Sequence, residues 1–124
     1  MSDITFQEIS DRIYNHLKKR DWHNNQSRGL AISIALEAAE LLEHYQWQDD
    51  SIGSKDDLAA ELADIFIYAF QLAQNNNIDI PKAIIAKLEK TTKKYPTKDF
   101  KGKNEAEQNK AWLENKLKHR KEGL

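Results

Sequence analysis

The chain has 124 residues, of which 40% are hydrophobic and 31% charged, with a formal net charge of −1. That composition fits one soluble globular domain and excludes a disordered or collagen-like chain. Cysteine is absent, which removes disulfides and thiolate metal sites, and no apolar run resembles a signal peptide or a membrane span, so a cytoplasmic protein is expected.

Helical signals dominate the sequence in chain order. Thr5 and Glu8 form a capping-box pattern with Ile4 as the preceding staple, and a first helix to about Arg20 is expected to bury Phe6, Ile9, Ile13 and Leu17. The polar stretch 21–29 reads as a loop, with Asn25 or Ser27 capping a second helix over about Leu30 to Trp47. After a turn at 48–53, Ser54 is placed to cap a third helix over about Lys55 to Gln74, with Asp56 and Asp57 at its positive end. Asp79 and Pro81 open a fourth helix that must end near Tyr95, before Pro96. The stretch 97–102 is irregular, and Asn104 with Glu107 starts a last helix towards Lys121. No stretch alternates as a strand would. The expected fold is all-α: an antiparallel four-helix bundle core over about residues 4–96, with an additional C-terminal helix in an extension over 97–124, all in a single domain.

Two acidic pairs stand out within these helices. Glu37 and Glu40 are three residues apart, as are Glu61 and Asp64, in the runs ISIALEAAELLEHYQW and DLAAELADIFIYAF. Residues three apart share a helix face, where like charges repel. Glu37 lies between Ile34 and Leu41, and Glu61 between Leu58 and Ile65, so both interrupt apolar stripes. Carboxylates on a core-facing stripe lose hydration and need a compensating charge. A single Glu-x-x-Glu is commonplace. Two such pairs on consecutive antiparallel helices point to a metal site lined by oxygen ligands. No glutamate has a histidine three residues later, which argues against the di-iron pattern, and an all-oxygen set favours Mg²⁺, with Mn²⁺ as a substitute.

Charge is segregated along the chain. Nine acidic residues lie between Glu37 and Asp64 against Lys55 alone, whereas eight lysines lie between Lys82 and Lys103 against Glu89 and Asp99. An acidic centre followed by a basic stretch suits a metal beside a polyanion.

The blocks EAAELLEHYQW, ELADIFIYAFQLA and IDIPKAIIAKLEKTTKKYP, with RDW at Arg20–Trp22, resemble the MazG-like, all-α nucleoside triphosphate pyrophosphohydrolases, and within them the small single-domain group that includes the dCTP pyrophosphatases. The likeness covers about residues 21–96. It implies Mg²⁺-dependent hydrolysis of (deoxy)nucleoside triphosphates to monophosphate and pyrophosphate, in the service of nucleotide-pool house-cleaning. It also implies that Glu37, Glu40, Glu61 and Asp64 hold the metal and carry the catalysis, with Glu40 the expected proton acceptor.

Lys87, Lys93, Lys94 and Tyr95 are the expected phosphate contacts, and Arg28 a phosphate or sugar contact. Trp22 and Trp47 are the expected stacking partners of the base. His44 is expected to cover a helix end rather than bind metal. Two positions depart from the family pattern: His23 stands next to the tryptophan with Gln26 near the place of a loop histidine, and Thr91 replaces an asparagine before the KYP run. The preferred base and sugar therefore stay open. A homodimer or tetramer is expected, because two helices with acidic inner faces cannot close a nucleotide pocket alone. The competing reading is a non-enzymatic helical adaptor or a nucleotide sensor. Nucleic acid is a poor fit as partner, because the basic C-terminal helix lacks aromatic interleaving.

Overall fold

A computed structural model describes residues 3–123. Five α-helices form: α1 (Phe6–Lys18), α2 (Ser27–Glu43), α3 (Lys55–Asn75), α4 (Ile80–Lys94) and α5 (Glu105–Lys121), with one 3-10 turn at Thr97–Asp99. No strand occurs among the described residues. The all-α expectation therefore holds. The described chain separates into two compact units, one up to Ile80 and one from Pro81 on, with the division at the start of α4.

In the first unit, α2 packs along α3, and α1 lies against α3. Leu30 is 2% exposed, and Leu17, Phe70 and Ala73 are also buried. Fully burying one such leucine stabilises the fold by about 1.5–3 kcal/mol. Phe6, expected in the core, is about half exposed because it sits on the first turn of α1, although its ring stacks on Phe70 at 6.0 Å. Ile9 and Ile13 are half-buried.

Long-range side-chain bonds tie α3 to the rest of the unit. Gln74 Nε2 donates to both the carbonyl and the hydroxyl oxygen of Ser10, at 2.9 Å each. At the same C-terminal end of α3, Asn75 donates to the Asn25 carbonyl and Asn76 to Ser27 Oγ. The start of α2 differs from expectation. Asn25 and Ser27 were both candidates to cap α2, but Gln26 occupies the N-cap position, with no side-chain cap bond.

The other caps follow the sequence. Thr5 Oγ1 accepts from Glu8 N, and full capping boxes form at Ser54/Asp57 and Asn104/Glu107. Two helix ends use left-handed residues. Asp21 has φ 56° and Asn77 φ 54°. In each case the next residue's N–H reaches back to the last turn, Trp22 to the Leu17 carbonyl and Ile78 to the Ala73 carbonyl, both at 2.9 Å. That pattern is the Schellman motif, with Asp and Asn standing where glycine is usual.

α2 ends earlier than the expected Trp47. Its C-cap is His44, which is buried, and Ile52 N returns to the His44 carbonyl at 3.0 Å. His44 Nδ1 shares a 2.8 Å hydrogen bond with Ser51 Oγ. A Cβ on Gly53 would stand 2.7 Å from His44 Cε1 and 2.9 Å from Nδ1, so this turn closes only around a glycine.

In the second unit, Tyr95 stacks on Trp112 at 6.4 Å and 7°, and meets Phe100 edge-on at 5.9 Å. This cluster joins the end of α4 to α5. The apolar residues Ile84, Ile85 and Leu88 of α4 are exposed.

Candidate metal and nucleotide site

Glu37 on α2 and Glu61 and Asp64 on α3 bring one carboxylate oxygen each to within 4.8 Å of one another. Two inward stripes meeting along the α2–α3 seam produce this convergence, as the sequence spacing requires. Glu37 and Glu61 are half-buried and Asp64 is exposed. Glu37 Oε2 and Glu61 Oε2 are buried with no hydrogen-bond partner. Glu40 is exposed and is not one of the three, although its charge bears on both buried glutamates.

The electrostatics follow from that crowding. Loss of hydration raises the Glu37 carboxyl above its ordinary range, and Glu40, Asp64 and Glu61 push it further. Loss of hydration also raises Glu61, with Glu40 and Asp64 adding to it and the nearby His44 opposing it. An unpartnered buried carboxylate oxygen is costly, and here two stand together. Hard oxygen donors spaced to share one small cation fit a divalent ion. His44 is turned into the Ser51 bond and is not one of the three clustered residues.

The remaining candidate residues distribute as follows. Trp22 follows α1 with 54% of its surface exposed, and the Arg20 guanidinium lies 5.9 Å from the centre of its ring. Trp47, in the turn after α2, is 87% exposed. Arg28 is exposed on the first turn of α2, about 13 Å from Glu37 along the helix axis. The structure does not bring it to the carboxylates.

Lys87, Lys93, Lys94 and Tyr95 belong to the second unit. Lys87, Lys93 and Lys94 line an open groove of about 630 Å³ along α4, together with Lys90, Ala83 and Ala86. Tyr95 is half-buried in its aromatic cluster, and Lys94 Nζ lies 5.5 Å from the centre of its ring.

Gln71 was not singled out in the sequence. It is 2% exposed and donates from Nε2 to the Trp22 carbonyl at 2.9 Å. The available signal was a polar residue inside the apolar run AFQLA, in the same register as Glu61, Asp64 and Tyr68.

These features define an all-α protein whose paired helices carry a carboxylate cluster suited to a divalent cation. The chain belongs to the MazG-like family, whose model matches residues 32–109, a span containing all four acidic positions. It is 31% identical to bovine dCTP pyrophosphatase 1 over 104 aligned residues, covering 77% of this chain and 62% of that protein. The human dCTP pyrophosphatase 1 is 32% identical over 101 residues, covering 74% and 59%. The chain thus spans about 62% of the length of the bovine relative. Among solved structures, a pyrophosphatase from Archaeoglobus fulgidus superposes with a TM-score of 0.63 at 30% identity, covering 77% of this chain and 96% of that one.

Proposed function

We propose that the protein hydrolyses (deoxy)nucleoside triphosphates to the monophosphate and pyrophosphate, with Mg²⁺ as cofactor and Mn²⁺ as a substitute, as a cytoplasmic house-cleaning enzyme of the nucleotide pool. The observation that carries this reading is the pair of buried, unpartnered oxygens on Glu37 and Glu61 beside Asp64. The family and the named activities of the relatives supply the substrate class.

Glu37, Glu61 and Asp64 would hold the ion, which when bound supplies positive charge against the phosphates and acidifies a water. The attacking water forms a new bond to phosphorus while the bond between the α and β phosphates breaks. Glu40, close to the cluster but outside it, takes the proton from that water. Pyrophosphate leaves with the electron pair. On the second unit, Lys87, Lys93 and Lys94 carry positive charge suited to phosphate, with Tyr95 as a further hydrogen-bond donor. Trp22, beside the Arg20 guanidinium, and Trp47 present indole rings to the base, each stack worth about 1–3 kcal/mol. Arg28 is kept as a sugar or distal phosphate contact made from outside the cluster.

A dimer or tetramer completes this reading. Leu36, Leu42 and Phe66 in the first unit and Ile85 and Leu88 in the second are exposed, and apolar residues on amphipathic helices are covered when copies pair.

The test is incubation of the purified protein with individual dNTPs and NTPs, with and without Mg²⁺. The expected products are nucleoside monophosphate and pyrophosphate, formed only with the metal. Release of inorganic phosphate alone would contradict cleavage between the α and β phosphates. Thermal stabilisation by nucleotide without any product would favour a sensor.

A further inference from the structure

Trp22 combines a tethered backbone with a half-exposed side chain beside the Arg20 guanidinium. Its N–H donates to the Leu17 carbonyl at 2.9 Å, closing the turn in which Asp21 takes its left-handed conformation. Its carbonyl accepts from Gln71 Nε2, also at 2.9 Å, across 49 residues of sequence. Both main-chain groups of one exposed loop residue are therefore held, while 54% of that residue faces solvent. A buried primary amide can satisfy a loop carbonyl in many proteins without any functional meaning. Here the amide stands on a particular stripe. Glu61, Asp64, Tyr68 and Gln71 follow one another at spacings of three and four on the unbroken helix α3, so they share one face.

We infer that Gln71 is a positioning residue for nucleotide recognition: it fixes the Trp22 backbone to the helix face that carries Glu61 and Asp64, so that the indole is presented at a set distance from the metal carboxylates. The inference rests on the proposed reaction, in which Trp22 stacks on the base. Gln71 touches neither substrate nor metal. Its effect passes entirely through Trp22. A base held on a rigid platform reaches the carboxylates with its phosphates already in register, and less freedom is lost on binding. Loosening the platform weakens binding of the base without altering the chemistry at phosphorus.

The replacement Gln71→Met keeps the volume and removes the donor, and Gln71→Asn keeps the amide but shortens it out of reach of the carbonyl. Both are expected to raise KM for the best dNTP about fivefold, the worth of one hydrogen bond, with kcat and the Mg²⁺ activation constant within about twofold of the parent. In a Trp22→Ala background the same replacements are expected to change KM by less than about twofold, because the group they act through is gone. An equal KM penalty in both backgrounds, or a fall in kcat at unchanged KM, would overturn the inference and leave Gln71 as a packing residue.

A second measurement needs no turnover. In a chain carrying Trp47→Phe and Trp112→Phe, Trp22 is the single tryptophan. Gln71→Met is expected to increase acrylamide quenching of its fluorescence and to lower its anisotropy, and unchanged values in folded protein would overturn the positioning role. If the parent protein cleaves no nucleoside triphosphate, the proposed reaction falls by itself, and the fluorescence still decides whether Gln71 holds Trp22.

Discussion

Glu61 carries a buried oxygen with no partner, and its carboxyl is raised first by lost hydration and then by Glu40 and Asp64. Replacing it with glutamine removes a repelling charge and keeps the shape. Glu61→Gln should therefore lose at least about a hundredfold in kcat while unfolding, without metal, at the same or a higher temperature than the parent. Activity assays and differential scanning calorimetry read the two halves of that outcome.

The sign of the pH dependence follows from the same groups. Glu37 and Glu61 hold their protons more tightly in the folded chain than in the unfolded one. Their contribution to stability is present below the ordinary glutamate range and is lost as pH rises through their raised values. Metal-free protein should melt at a lower temperature at about pH 7 than at about pH 5, and added Mg²⁺ should remove most of that difference. A melting temperature in EDTA that rises over this range would contradict the assignment.

At the scale of the element, the turn between α2 and α3 joins a histidine, a serine and a glycine into one closure. Gly53→Ala would place a methyl group against the His44 ring, which is already held by Ser51. The ring must move and the bond to Ser51 must lengthen, at a cost of about 1–3 kcal/mol measurable by urea unfolding. Ser54→Ala, one residue further on, loses a cap that accepts from Asp57 N and costs about 1 kcal/mol.

The helices themselves were legible in the sequence because their caps and apolar stripes are local signals. Ser54, Asn104 and Thr5 appear as caps where their spacing placed them. Glu37, Glu61 and Asp64 converge because each sits at a fixed register on its stripe. What escaped was non-local. Ser27 looks like a cap for α2 until Asn76 at the end of α3 engages its hydroxyl, and Asn25 accepts there through its backbone carbonyl. Gln71 finds its partner in a turn far away in sequence. Asp21 and Asn77 take a left-handed backbone that the residue type permits without requiring.

For the molecule as a whole, the family match runs over residues 32–109, so α1, the Trp22 turn and most of α5 lie beyond it. The exposed apolar residues on α2, α3 and α4 predict self-association. Light scattering at micromolar concentration should give a dimer or a larger multiple of the 14.4 kDa chain, and a monomer would remove the proposed pairing. Charge is segregated along the chain, acidic between Glu37 and Asp64 and basic between Lys82 and Lys103. Its use against one substrate is what the activity assay decides.

The two orphaned carboxylate oxygens also bear on the lifetime of the protein. They set like charges against one another along the α2–α3 seam, a repulsion that a bound cation would relieve. Chelation should therefore increase amide hydrogen exchange around Glu37 and Glu61 before it affects the buried end of α3 at Phe70 and Ala73. A chain starved of divalent metal would thus open at its own site first, and become a protease substrate there before it had lost its remaining structure.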